Sequence, residues 1–91
     1  MTSYEFEVAA KNAVIRVVEE KYGEKYTIPQ IHIVFFAHVL GNKKATLNDS
    51  GGSSRYYDVT LDLKNNALYV DVYEKVHKAR IFGEDIDVSV S

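Results

Sequence analysis

The side chains with the widest chemical scope are three histidines, His32, His38 and His77, and the aspartates Asp58, Asp62 and Asp71, which are interleaved with tyrosines. A metal site needs several ligands converging on one ion at about 2–2.6 Å. His32 and His38 lie in a stretch that reads as one strand, and six residues at ~3.3 Å each put them roughly 20 Å apart. The chain has no cysteine and no His-x-His or His-x-x-x-His pair. Spacing therefore predicts no metal site and no cofactor, and the histidines read as solvated or hydrogen-bonded strand residues.

The aspartates invite an acid–base reading. Asp58 and Asp62 share one face of a strand about 13 Å apart, beyond the ~5–9.5 Å separations of glycosidase carboxylate pairs. Asp71 falls diagonally between them. On an open face such carboxylates stay hydrated and ionised. No serine sits in a G-x-S-x-G elbow, and there is no cysteine to act as nucleophile. The expectation is that the chain is not an enzyme. The enzymatic alternative requires a concave pocket gathering His32 or His38 with Asp58 or Asp71.

The tyrosines point elsewhere. Tyr56, Tyr69 and Tyr73 fall on the same strand face as Asp58 and Asp71. Tyrosine gives large contact area at low entropic cost and recurs in protein interfaces. Stacking of nucleic-acid bases is the rival use, but interleaved aspartates repel phosphate. Tyr56, Asp58, Tyr69, Asp71 and Tyr73 are thus the candidate interaction residues, facing a protein partner or a second copy of the chain, with nucleic acid not expected.

These residues need a scaffold that holds them in one plane. The runs 56–63 and 67–75 both alternate apolar and polar residues, the period of strands with one buried face. Asn65-Asn66 between them suits a tight turn, since Asn tolerates positive φ. With a two-residue loop, Leu63 pairs with Leu68, Leu61 with Val70 and Val59 with Val72 on the inner face. Asp62 then pairs with Tyr69, Thr60 with Asp71 and Asp58 with Tyr73 on the outer face.

Residues 3–22 read as the helix that covers the inner face. Thr2-x-x-Glu5 has capping-box spacing, Glu5 and Glu7 suit the helix dipole, and Gly23 is a C-terminal cap. Phe6, Ala10, Ala13, Val14, Val17 and Val18 make one apolar stripe. Pro29 marks the beginning of a strand. From Ile31 the chain is β-branched and aromatic, with Ile31, Ile33, Phe35, Ala37 and Val39 on one face and His32, Val34, Phe36, His38 and Leu40 on the other. Gly41-Asn42 turns it back into a short strand over 43–47. Residues 48–54, rich in Gly and Ser, read as a flexible loop, and Gly51-Gly52 lacks the context of a phosphate cradle. Residues 76–82 (Val76 to Phe82) are ambiguous between strand and helical turn, and Ile86, Val88 and Val90 suit a last edge strand or a frayed tail.

Ninety-one residues make a single domain, 1–91, with 46% hydrophobic and 26% charged residues, which argues against disorder. A net charge of −2 leaves no basic footprint for nucleic acid. The N-terminus lacks the pattern of a signal peptide, and no apolar run approaches the ~20 residues of a membrane span. The expectation is a cytoplasmic protein that does not enter a membrane.

The strand ending in Val34-Phe35-Phe36, the segment from Leu40 to Ala45, the strand Tyr56 to Thr60 and the return from Leu68 to Lys75 resemble a family of small uncharacterised proteins from phages and prophages of Gram-positive bacteria. The resemblance implies a phage or prophage origin, a setting in the host cytoplasm and an accessory role, and brings no catalytic residues. The order of elements is also similar to that of PepSY and cystatin domains, in which a long helix packs on an antiparallel sheet. The Gln-Val-Val-Ala-Gly core of the cystatin inhibitory loop is absent, so that likeness implies fold alone.

The reading is α+β: one N-terminal helix packed on a four- to five-stranded antiparallel sheet. The function expected is non-enzymatic protein interaction through the sheet. A small-ligand site, lined by Phe35 and Phe36 between helix and sheet, is the other alternative.

Overall fold

The helix α1 (Ser3–Tyr22) starts and stops where its end residues dictate. Glu5 N donates to Thr2 Oγ1 at 3.1 Å while Thr2 N donates to Glu5 Oε1 at 2.9 Å, so the capping box closes. At the other end Gly23 takes a left-handed φ of 70°, and its N–H reaches Glu19 O at 3.0 Å. A side chain there would be strained, so Gly23 ends the helix cleanly.

The computed structural model describes residues 2–74, 83–85 and 87–89. Among them, α1 is followed by a 3-10 turn at Ile28–Gln30 and the strands β1 (Ile31–Val39), β2 (Asn42–Asp49), β3 (Arg55–Asp62) and β4 (Ala67–Glu74). The strands form one antiparallel sheet in the order β1-β2-β3-β4. The fold is α+β, an N-terminal helix against a four-stranded open sheet. The expected strand or helical turn at 76–82 lies outside the described residues. Asp87–Ser89 form no strand.

Helix and sheet meet in an apolar core. Phe6, Ala10, Val14 and Val18 come down from α1 onto Ile31, Ala45, Leu47, Tyr57, Val59 and Leu61, all buried. Burying an aliphatic or aromatic side chain of this size stabilises by about 1.5–3 kcal/mol. Leu68, Val70 and Val72 on β4 pack against the margin of this core.

Two expected registers change. In β1 the pairing with β2 slips between Ile33 and Phe35, so Val34 is a bulge. Ile31 and Ile33 keep the inner face as expected, but beyond the bulge the parity inverts. Phe36 now faces the helix and meets the Phe6 ring edge-on at 5.6 Å. Phe35, opposite Thr46, turns outward and is 61% exposed. The expected ligand cavity lined jointly by Phe35 and Phe36 is therefore divided between the two faces.

In the β3–β4 hairpin the loop is four residues, 63–66, rather than Asn65-Asn66. Asp62 accepts hydrogen bonds from Lys64 N at 3.1 Å, Asn65 N at 3.2 Å and Asn65 Nδ2 at 2.7 Å. This cap draws Leu63 and Lys64 into the turn, and Asn66 closes it at φ 50°. The pairing becomes Leu61 with Leu68, Val59 with Val70 and Asp58 with Asp71. A shift of two residues leaves every side chain on its expected face.

Candidate functional site

On the face of the sheet away from α1, three rows of cross-strand neighbours lie before the row that ends in the Asp62–Ala67 pair. The first runs His32, Asn48, Tyr56, Tyr73; the second Phe35, Thr46, Asp58, Asp71; the third Ala37, Lys44, Thr60, Tyr69. All five candidate residues, Tyr56, Asp58, Tyr69, Asp71 and Tyr73, thus lie on one face with no covering layer among the described residues. Tyr56 and Tyr73 stack in parallel, ring centres 4.9 Å apart at 12°. Tyr69 is 52% exposed. Such rings present rigid, amphipathic surface.

The carboxylates of this face are arranged more tightly than expected. Asp71 lies directly opposite Asp58 rather than diagonally. Asp58 accepts a hydrogen bond from Thr46 Oγ1 at 2.7 Å, which fixes its orientation from the β2 side. Asp62 stands apart, held in the turn, where the bonds from Asn65 and Lys64 keep its pKa below the ordinary carboxylate value.

The histidines do not join them. His32 is exposed on edge strand β1, two strands from Asp58. His38 lies opposite Lys43 and hence on the helix side of the sheet, the reverse of Asp58 and Asp71. His77 lies outside the described residues. No group of three or more His, Asp or Glu suited to a metal ion occurs among the described residues, and no helix among them is long and apolar enough to cross a membrane.

A second polar cluster, unanticipated in the Gly/Ser-rich loop, surrounds Asp49. Its Oδ2 accepts from Tyr57 Oη at 2.7 Å and Ser53 Oγ at 2.6 Å, and its Oδ1 from Gly51 N at 3.0 Å and Tyr26 Oη at 3.4 Å. Burial alone would raise the Asp49 pKa, but the bonds from Ser53, Tyr57 and Gly51 outweigh it and hold it below the usual value. Burial and the same carboxylate raise the Tyr57 hydroxyl well above its ordinary value, so it remains a donor. A Cβ on Gly51 would overlap Tyr26 Oη, which explains why a glycine stands there. The legible signal was Asp49 two residues before a glycine, the spacing of an Asx turn.

Beside it, Arg55 is nearly buried, with its guanidinium 3.9 Å over the Tyr22 ring and paired with Glu24. Tyr22 in turn donates to Glu74 Oε1 at 2.6 Å. A shallow cleft of about 250 Å³ is lined by Glu24, Ser53, Ser54, Arg55 and Glu74. This cluster fastens the C-terminal end of α1 to β3 and β4. Its tyrosine hydroxyls donate to its carboxylates, an arrangement that staples these elements together.

No curated protein and no solved structure matches the chain significantly. The profile of a family of unknown function, DUF6275, matches residues 7–82, a span that runs from α1 past the end of β4. The chain belongs to this family.

Proposed function

We propose that the chain is a non-enzymatic protein-interaction module that engages its partner through the outer face of the sheet. The observation that carries this reading is the sheet face, uncovered among the described residues, that bears Tyr56, Tyr69 and Tyr73 around the Asp58–Asp71 pair. Aromatic rings of this kind anchor protein contacts, and the carboxylate pair between them selects the partner by charge. The aspartates favour a protein over a phosphate backbone, and the partner's complementary patch is basic. The resemblance carried by residues 34–36, 40–45, 56–60 and 68–75 supports placing the module among accessory proteins of phages or prophages, at work in the host cytoplasm.

The test is capture of a defined protein by the wild type and by Tyr69→Ala/Tyr73→Ala, from cells that naturally contain the chain. A partner held by the wild type and lost by the variant supports the reading. A partner held equally by both contradicts it.

A further inference from the structure

Among the described residues the sheet has two edge strands, β1 and β4, and they are built differently. β1 is interrupted by the Val34 bulge and preceded by Pro29 in a 3-10 turn, two devices that discourage a further strand. β4 has neither. Its register with β3 is unbroken from Ala67 to Glu74, and it contains no proline and no lysine. Alongside it, a groove of about 460 Å³ between α1 and the strand leaves Leu68 and Val70 only partly covered, beneath Ala9, Ala13 and Val17.

We propose that a second copy of this chain adds to β4, strand against antiparallel strand, about a two-fold axis through Val70. The side chains select that register. Centred on Val70, the inner face sets Val70 against the second copy's Val70 and Leu68 against the second copy's Val72, while the outer face sets Tyr69 against the second copy's Asp71. No like charges meet, and each Asp71, which already faces Asp58 on one side, receives a tyrosine on the other. Centring the axis on Asp71 instead opposes two carboxylates and seats Leu68 against Glu74, both unfavourable. A slip to a register of odd parity sends apolar residues to the polar face. The product is one continuous sheet with four strands from each copy, both helices on one side and both tyrosine–aspartate faces on the other. This inference concerns the edge rather than the face, and its readout is self-association, so it succeeds or fails apart from the proposed capture of a different protein.

The test combines mass with amide exchange. Sedimentation of the wild type across a concentration series is expected to pass from monomer to dimer, with β4 amides gaining protection as the dimer forms. Two variants address the register. Tyr69→Asp sets a new carboxylate at position 69 against the second copy's Asp71, and Tyr69→Lys/Asp71→Lys sets two ammonium groups against each other in the same places. Each is expected to be monomeric alone, and the mixture is expected to give a heterodimer, a result that loss of folding cannot imitate. A wild type that stays monomeric at every concentration overturns the proposal, as does a mixture that gives no heterodimer. Concentration-independent protection of those β4 amides that are not bonded to β3 also overturns it, because the outer edge is then covered within a single copy.

Discussion

Asp49 gathers donors from a strand, a loop and the segment after the helix, so its removal strands several of them at once. Asp49→Ala is expected to lower unfolding free energy by about 2 kcal/mol, and Tyr57→Phe by about 1 kcal/mol, measured by urea denaturation. The sign of the pH dependence follows from the depressed pKa of Asp49. Its contribution is present above the unfolded carboxylate value of about 3.9 and is lost as pH falls through the lower folded value. Wild-type stability is therefore expected to drop in that acid window, and the drop to be shallower in Asp49→Asn. Equal slopes for the two chains contradict this account of the cluster. Gly51→Ala is expected to lower the melting temperature, since Tyr26 occupies the space that the new methyl needs.

At the scale of elements, the bulge in β1 makes a sharp distinction between neighbouring phenylalanines. Phe36→Ala removes the contact with Phe6 and is expected to cost about 1–2 kcal/mol, whereas Phe35→Ala is expected to stay within about 0.5 kcal/mol. Similar costs for both contradict the inverted parity beyond Val34. This is also where sequence reading reached its limit. The helix was legible to its last residue, because Thr2, Glu5 and Gly23 are local signals that report their own positions. Alternation in β3 and β4 gave the faces of Tyr56, Asp58, Tyr69, Asp71 and Tyr73 correctly. The bulge was not legible, because Val34 and Phe36 are as apolar as Ile33 and Phe35, so the pattern contains no mark of the slip. The hairpin register missed by two because Asp62 caps a wider turn than Asn65-Asn66 alone suggests. The Asp49 cluster was hidden by composition: glycines and serines that usually mean flexibility here accommodate Tyr26 and supply a hydroxyl.

At the scale of the whole molecule, the described residues form two layers with unequal faces. Helix α1 covers the middle of one side of the sheet with Phe6, Ala10, Val14 and Val18, while the other side displays tyrosines and aspartates without a covering element among the described residues. Protein contact through that open side is the central claim. The most direct measurement is site-specific photocrosslinking in cells that naturally contain the chain. A photoreactive phenylalanine analogue is placed at position 56 on the open face or at position 19 on the exposed side of α1. The account predicts a discrete protein adduct from position 56 and none from position 19. Adducts from position 19 alone, or the same adducts from both positions, would contradict it.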